Sequence, residues 1–301
     1  MQLNQLQVQK YNHYQIALLV NLSLLCWLVL ILTPSFFTIN IQLIALISTV
    51  TIIGIPHGYF DFLVAKKLFS SSQNWLLKFI TVYLSISLIY FYAWISVPLF
   101  SLILFLLMAT YHFGEEESNN LDKKSIILLL TLGSIPIVTP IMFHSNEVFS
   151  LFSVLLNSEL SQIQVSQVQK VIYTVIVLSI IYLKARKIFL LYILLLINFI
   201  LLPPLLSFIL YFCFHHSLRH YLDALCNSDL FERSIPIARY AIFFLFLTVA
   251  FTSICLLIMS GYANITFESA IIKYIFITLA CLTLPHLALN IIYVYKQAPS
   301  T

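Results

Sequence analysis

The chain has 301 residues, of which 61% are hydrophobic and only 9% are charged. Soluble globular proteins carry roughly 25% charged residues, so this composition excludes an ordinary water-soluble fold. The net charge of +4 comes from basic loops between apolar runs and does not indicate nucleic-acid binding. Apolar runs long enough to cross a bilayer as helices recur from end to end. The composition therefore predicts an all-α polytopic integral membrane helical bundle, with residues 1–301 forming a single transmembrane domain.

Ten apolar segments are predicted as transmembrane helices. In chain order they cover residues 15–33, 38–56, 76–95, 97–113, 125–143, 168–183, 188–202, 204–218, 240–260 and 270–293. Only Pro203 and Pro204 mark the boundary between the seventh and the eighth. Residues 188–218 therefore form either two spans or one broken helix, and we expect eight to ten spans.

The basic residues predict the orientation of the bundle. If the N-terminus is cytoplasmic and all ten segments cross, only Lys170 and Lys273 of the 15 lysines and arginines fall outside. Short cytoplasmic loops carry such an excess of positive charge. We therefore expect both termini in the cytoplasm and a multi-pass protein of the cell's inner (plasma) membrane.

The same topology gathers most of the histidines at one membrane depth. Even-numbered segments run towards the cytoplasm, and their C-terminal halves carry six of the eight histidines. These six are His57, His112, His215, His216, His220 and His286. A layer of imidazoles on helices that all point the same way favours a metal site.

The stretch FCFHHSLRHYLD has the densest histidine pattern. His216 and His220 are four residues apart, so on a helix both rings project from one face and can bind one metal ion. His215 lies about 100° further round the helix and belongs to another face. The alternative is that these are interfacial histidines at a helix end.

The stretch MATYHFGEEESNN places three glutamates directly after His112. We expect Gly114 to end the helix, which leaves the glutamates at a C-terminus, where the helix dipole disfavours acidic groups. A nearby cation would offset this, and a carboxylate can orient a ligating imidazole. Glu115 and Glu116 are the candidates for that role. The alternative is a solvated loop in which the glutamates face Lys123 and Lys124.

The stretch GIPHGYFDF places His57 and Asp61 together where an apolar run stops. The two share a helical face if the helical turn continues past Gly58. Asp61 would then accept the proton of the far ring nitrogen of His57 and fix its tautomer for metal binding. Alternatively, Asp61 caps a helix or pairs with Lys66.

The stretch LTLPHLALN places His286 inside an apolar run, directly after Pro285. An ionisable residue at membrane depth is a candidate functional residue. We expect His286 to bind the metal or to support a ligand. The alternative is a neutral histidine bonded to a carbonyl near the proline kink.

The candidate ligands narrow the choice of metal and of function. No cysteine lies in the histidine layer, so imidazoles would suit iron, copper or zinc, and iron with four histidines would leave positions open for O2. A diiron desaturase or hydroxylase is a rival reading, but it needs more histidine ligands than this layer contains. A non-enzymatic haem or metal membrane protein is another, although a transporter would place ligands at several depths.

Four motifs together resemble those of a known family. HG…D (His57, Gly58 and Asp61), YHFGEEE (residues 111–117), HSLRH (residues 216–220) and PH (Pro285 and His286) are similar, in this order, to the signatures of Brp/Blh-type β-carotene 15,15′-dioxygenases. The resemblance implies an integral-membrane Fe(2+) enzyme that cleaves the central double bond of β-carotene with O2 into two molecules of all-trans-retinal.

The resemblance also implies roles for particular residues and partners. The iron ligands of the family carry over onto His57, His112, His216 and His220. Asp61, Glu115, Glu116 and His286 would support these ligands, together with His215 and Tyr111, which stand where the family usually has tryptophan. β-Carotene would enter from the lipid bilayer, and the bilayer or a retinal-binding opsin would receive the product.

Overall fold

The computed structural model describes residues 5–54, 59–119, 125–220, 250 and 266–297. Within these ranges every regular element is a helix, which confirms the predicted all-α class. The predicted span 240–260 lies outside the described residues except for residue 250, and so does His57.

Eleven α-helices are described in these ranges. In chain order they are α1 (Gln5–Leu32), α2 (Ile39–Thr49), α3 (Tyr59–Phe69), α4 (Trp75–Ser96), α5 (Pro98–Asn119), α6 (Ile126–Phe143), α7 (Ser145–Leu156), α8 (Gln167–Lys184), α9 (Phe189–Leu201), α10 (Pro204–Ile209) and α11 (Phe267–Gln297). π-Helical segments, Val50–Gly54 and Leu210–Ser217, continue α2 and α10. Helices α3 and α7 were not predicted from the sequence.

Local signals set several helix starts. Thr38 caps α2 through its hydroxyl, and Ser166 begins α8 with a capping box in which Gln169 bonds back to the Ser166 backbone. Pro98 opens α5, where a missing amide proton costs nothing.

Six of the described helices are long and apolar enough to cross a membrane, which supports the predicted membrane protein. They are α1, α4, α5, α6, α8 and α11. Residues Ile39–Gly54 and α7 are apolar but shorter. The total of ten spans and the cytoplasmic termini stay predictions.

Residues 189–217 form two helical segments that run in opposite directions. The first leg is α9, and the second leg is α10 with its π-helical continuation to Ser217. His144, at the end of α6, contacts the Ile200 carbonyl oxygen near the end of α9 through Nε2 at 3.1 Å. His216, at the end of the second leg, contacts Glu116 near the opposite end of the bundle. Between the legs, Leu202 and Pro203 are extended, with ψ of 150° and 147°. Residues 188–218 therefore contain two helical segments, and their crossing of the membrane as two spans stays a prediction.

The two π-helical segments lie against each other. A Cβ atom added to Gly54 would lie only 2.8 Å from Cε1 of Phe212, so the absence of a side chain permits this contact. The first segment leads towards His57 and the second contains His215 and His216. π-Helical turns are frequent at functional sites.

Gly114 does not end a helix, which corrects the sequence-based expectation. It lies inside α5, which continues to Asn119, so the three glutamates belong to the helix itself. Its role is packing: a Cβ atom on Gly114 would collide with the Leu129 carbonyl, and one on Gly133 would collide with the Thr110 carbonyl. Small residues at such positions let membrane helices approach closely. The close approach of α6 holds the part of α5 that carries His112.

Gly133→Ala should therefore destabilise the bundle. The new methyl group would force α5 and α6 apart, and overpacking of this kind typically costs about 1–3 kcal/mol. Thermal unfolding in detergent micelles would measure the loss. Leu130→Ala, on an exposed position of the same helix, is the control. Equal melting temperatures for Gly133→Ala and the parent chain would contradict the close packing.

Candidate metal centre and cavity

Histidines from three elements converge near one end of the bundle. α5 supplies His112, the second leg with the helical residues directly after Ser217 supplies His216 and His220, and α11 supplies His286. The His112 ring centroid lies 5.0 Å from that of His216 and 4.9 Å from that of His286. The His220 and His286 centroids are 5.9 Å apart. These four members of the predicted layer therefore form one cluster.

Three side chains in this cluster are placed to hold a metal ion. One ligand atom each from His112, Glu116 and His216 lie within 4.8 Å of one another. Two imidazoles and a carboxylate are a ligand set that non-haem iron accepts. Glu116 was predicted as a supporting group, and this geometry also makes it a candidate ligand. The set of four histidines stays a prediction.

Glu116 connects the two histidines of the HxxxH pair. Its Oε2 lies 2.9 Å from Nδ1 of His216, and its Oε1 lies 3.4 Å from Nδ1 of His220. The two rings are nearly parallel, at 19°, as expected for one helical face. A carboxylate on Nδ1 fixes the tautomer and directs Nε2 towards a metal.

Asp61 supports a histidine of the cluster, but the described contact is with His286 rather than the predicted His57. Asp61 Oδ1 lies 2.6 Å from His286 Nδ1, and Oδ2 accepts a hydrogen bond from the Tyr83 hydroxyl at 2.8 Å. Asn290 Nδ2 lies 3.0 Å from His286 Nε2. The sequence analysis missed Asn290, although its spacing of four residues from His286 on a helix was a usable signal. It also missed Tyr83, for which the sequence holds no signal.

A second buried group surrounds His215. Glu117 Oε1 lies 2.9 Å from His215 Nε2, and its Oε2 accepts a hydrogen bond from Arg219 at 2.8 Å. The His215 ring packs against Tyr211, with centroids 5.5 Å apart. His215 thus lies on a different face from His216, as the spacing predicted. Glu117 and Arg219 were missed as a pair, although both lie within the quoted motifs.

Two predicted supporting residues lie towards the outside of α5. Tyr111 is 36% exposed and lies beside Glu115. His112, the residue directly after Tyr111, is by contrast buried. A direct role for Tyr111 or Glu115 at the cluster stays a prediction.

An elongated apolar cavity opens onto the cluster. It has a volume of about 180 Å³, and His112, His216, His286, Asp61 and Tyr83 line it together with seven phenylalanines. Along α5 the lining runs from Leu102 to Phe113, which is roughly 16 Å at the rise of an α-helix. An apolar cavity of about 150 Å³ already holds an aromatic molecule. The cavity therefore suits part of a long apolar ligand.

A family model described as β-carotene 15,15′-dioxygenase matches residues 48–292, which is most of the chain. The chain belongs to the β-carotene 15,15′-dioxygenase family. A β-carotene 15,15′-dioxygenase from the uncultured marine bacterium 66A03 is 30% identical over 183 residues, covering 58% of this chain and 66% of that protein. No solved structure matches the chain. The resemblance that the four motifs suggested is confirmed.

All four motifs of this family member lie inside the matched range, including His57. Three carboxylates lie buried in and beside the cluster. Asp61 and Glu117 are 1% and 2% exposed, Glu116 is largely buried, and Arg219 donates to Glu117 at 2.8 Å. Buried carboxylates are costly unless they are paired. A bound cation would stabilise these buried carboxylates, so the residues present fit a metal.

Proposed function

We propose that the chain cleaves the central 15,15′ double bond of β-carotene with O2 at a non-haem Fe(2+) site, giving two molecules of all-trans-retinal. One observation carries the proposal: the histidine–carboxylate cluster forms one end of an apolar, aromatic-lined cavity in a membrane bundle. Membership of the β-carotene 15,15′-dioxygenase family supports the same reaction.

The metal would be held by His112 and His216, with His57 and His220 completing the four-histidine set. Glu116 would orient His216 and His220 or join the ligands itself, since it contacts both rings. When bound, Fe(2+) supplies the redox chemistry that activates O2, which no side chain in the cluster can provide.

The protein itself would bind, orient and shield the substrate. Phenylalanine side chains such as Phe105, Phe208 and Phe276 line the cavity and offer flat surfaces to a conjugated chain. The apolar wall excludes water from the reacting bond. One O2 adds one oxygen atom to each half of β-carotene, so the balanced reaction needs no net proton transfer from the protein.

The surroundings of the site suit a substrate that dissolves in lipid. We propose that β-carotene enters from the bilayer of the inner membrane, and that retinal returns to the bilayer or passes to a retinal-binding opsin. The six helices able to cross a membrane support this setting.

Expression in bacteria that accumulate β-carotene tests the proposal. Cells with the parent chain should lose their yellow colour and yield retinal as the sole cleavage product on chromatography. His57→Ala, His112→Ala, His216→Ala and His220→Ala should each lower the retinal yield by roughly 100-fold or more, because each removes a proposed metal ligand.

His144→Ala is the matched control. His144 contacts the Ile200 carbonyl oxygen at the opposite end of the bundle, so its loss should leave the retinal yield nearly unchanged. A well-expressed, iron-loaded parent chain that leaves the cells yellow would contradict the proposed reaction.

A further inference from the structure

We propose that Tyr83 is a positioning residue that acts on the metal centre through Asp61 and His286. This inference rests on the proposed function, because it assumes that the histidine cluster holds a metal. Tyr83 lies in α4, a helix that contributes none of the clustered histidines.

The contacts connect three helices in series, α4, α3 and α11. The Tyr83 hydroxyl donates to Asp61 Oδ2 at 2.8 Å, and Asp61 Oδ1 lies 2.6 Å from His286 Nδ1. The two oxygens of one carboxylate are thus engaged by different helices, α4 and α11. Because Asp61 is 1% exposed, water cannot readily replace either contact.

His286 is the last residue in this series of contacts and lies within the histidine cluster. Its ring centroid is 4.9 Å from that of His112 and 5.9 Å from that of His220. A carboxylate held at both oxygens has one orientation, and it fixes the orientation of the imidazole that it contacts. With the Tyr83 hydroxyl removed, the carboxylate gains freedom to rotate, and His286 is held less firmly beside His112. Asn290 at Nε2 is a remaining contact of the imidazole.

Tyr83 also contacts the part of α11 that precedes His286. Its hydroxyl lies 3.4 Å from the Leu282 carbonyl oxygen, one turn before His286. Tyr83, Asp61 and His286 all line the cavity. The same hydroxyl therefore fixes the carboxylate and contacts the helix that carries the imidazole, at the junction of cavity and cluster.

Tyr83→Phe in the full-length chain tests the inference. We expect metal affinity, measured in detergent by competition with a chelator, to fall by about 3–10-fold, less than the 10–100-fold typical of a residue that contacts a ligand directly. The absorption spectrum of the Co(II)-loaded protein should shift, because the ligand field changes. Asp61→Asn should have a larger effect, and the double variant should lose no more affinity than Asp61→Asn alone.

Tyr90→Phe is the matched control on the same helix. The Tyr90 hydroxyl is buried and donates to the Ser101 carbonyl oxygen at 2.8 Å, away from the cavity lining. It should lower the melting temperature about as much as Tyr83→Phe while leaving metal affinity and the Co(II) spectrum unchanged.

The outcomes separate this inference from the proposed reaction. Equal metal affinity and equal Co(II) spectra for the two tyrosine variants would overturn the positioning role, and so would a parent chain that binds no metal. A parent chain that binds metal but leaves β-carotene intact would contradict the proposed reaction alone, since the metal measurements need no carotenoid.

Discussion

Glu116→Ala should lower the metal affinity of the chain by about 100-fold, and the retinal yield with it. Glu116 contacts Nδ1 of both His216 and His220, so one substitution frees two imidazoles at once. Loss of a single supporting carboxylate typically costs 10–100-fold in metal affinity. Iron content after purification and chelator competition in detergent would measure the effect.

Glu116→Gln separates the two roles open to this side chain. Glutamine keeps an oxygen that can accept from an imidazole but removes the negative charge. A loss of affinity nearly as large as that of Glu116→Ala would indicate that Glu116 binds the metal directly. A loss of about tenfold or less would indicate an orienting role.

Glu115→Gln is the control for the charge change. Glu115 precedes Glu116 by one residue and lies beside the partly exposed Tyr111. We expect its substitution to leave metal affinity within about twofold of the parent value, well below the effect of a supporting carboxylate. A loss equal to that of Glu116→Gln would contradict the assignment of Glu116 as the glutamate that serves the cluster.

The sequence predicts the histidine cluster well because its signals are periodic. A spacing of four residues places His216 and His220 on one helical face. The alternation of apolar segments then sets which helix ends share a membrane face. These two rules bring together His112, His216, His220 and His286, residues more than 170 positions apart at the extremes.

Local sequence patterns do not predict the role of a glycine in a membrane helix. Gly114 is a glycine followed by polar residues, a pattern typical of a helix end. Helix α5 nevertheless continues through it, because α6 packs directly against the backbone at Gly114, where no side chain intervenes. A glycine that ends a helix and one that admits a neighbouring helix are identical in sequence. Tertiary contact decides between them.

The sequence also does not predict which side chains contact one another. Asp61 was assigned to His57, its neighbour in sequence, whereas its described partner is His286 on a distant helix. Tyr83, which completes that contact, has no spacing or motif to distinguish it among 17 tyrosines. Residue type and periodicity show which side chains need partners at membrane depth, but only the packed bundle shows which partners they find.

Ala109→Phe should abolish cleavage of β-carotene while leaving the metal in place. Ala109 lines the cavity, is 6% exposed, and lies one helical turn before His112. A phenyl group there would fill space beside the cluster that the substrate is proposed to occupy. We expect the retinal yield to fall by roughly 100-fold, because a filled site leaves the reacting bond out of place, with iron content close to that of the parent chain.

Leu107→Phe is the matched control, since Leu107 is 63% exposed on the same helix and is absent from the cavity lining. It should cleave β-carotene at nearly the parent rate. If Ala109→Phe also cleaves β-carotene normally while keeping its iron, the substrate does not pass through this cavity. If it loses iron as well, the phenyl group has displaced α5 and its histidine, and a smaller substitution, Ala109→Leu, would then separate blocking of the cavity from loss of the metal. Retained iron with lost cleavage in either variant would support the cavity beside Ala109 as the binding site of the polyene.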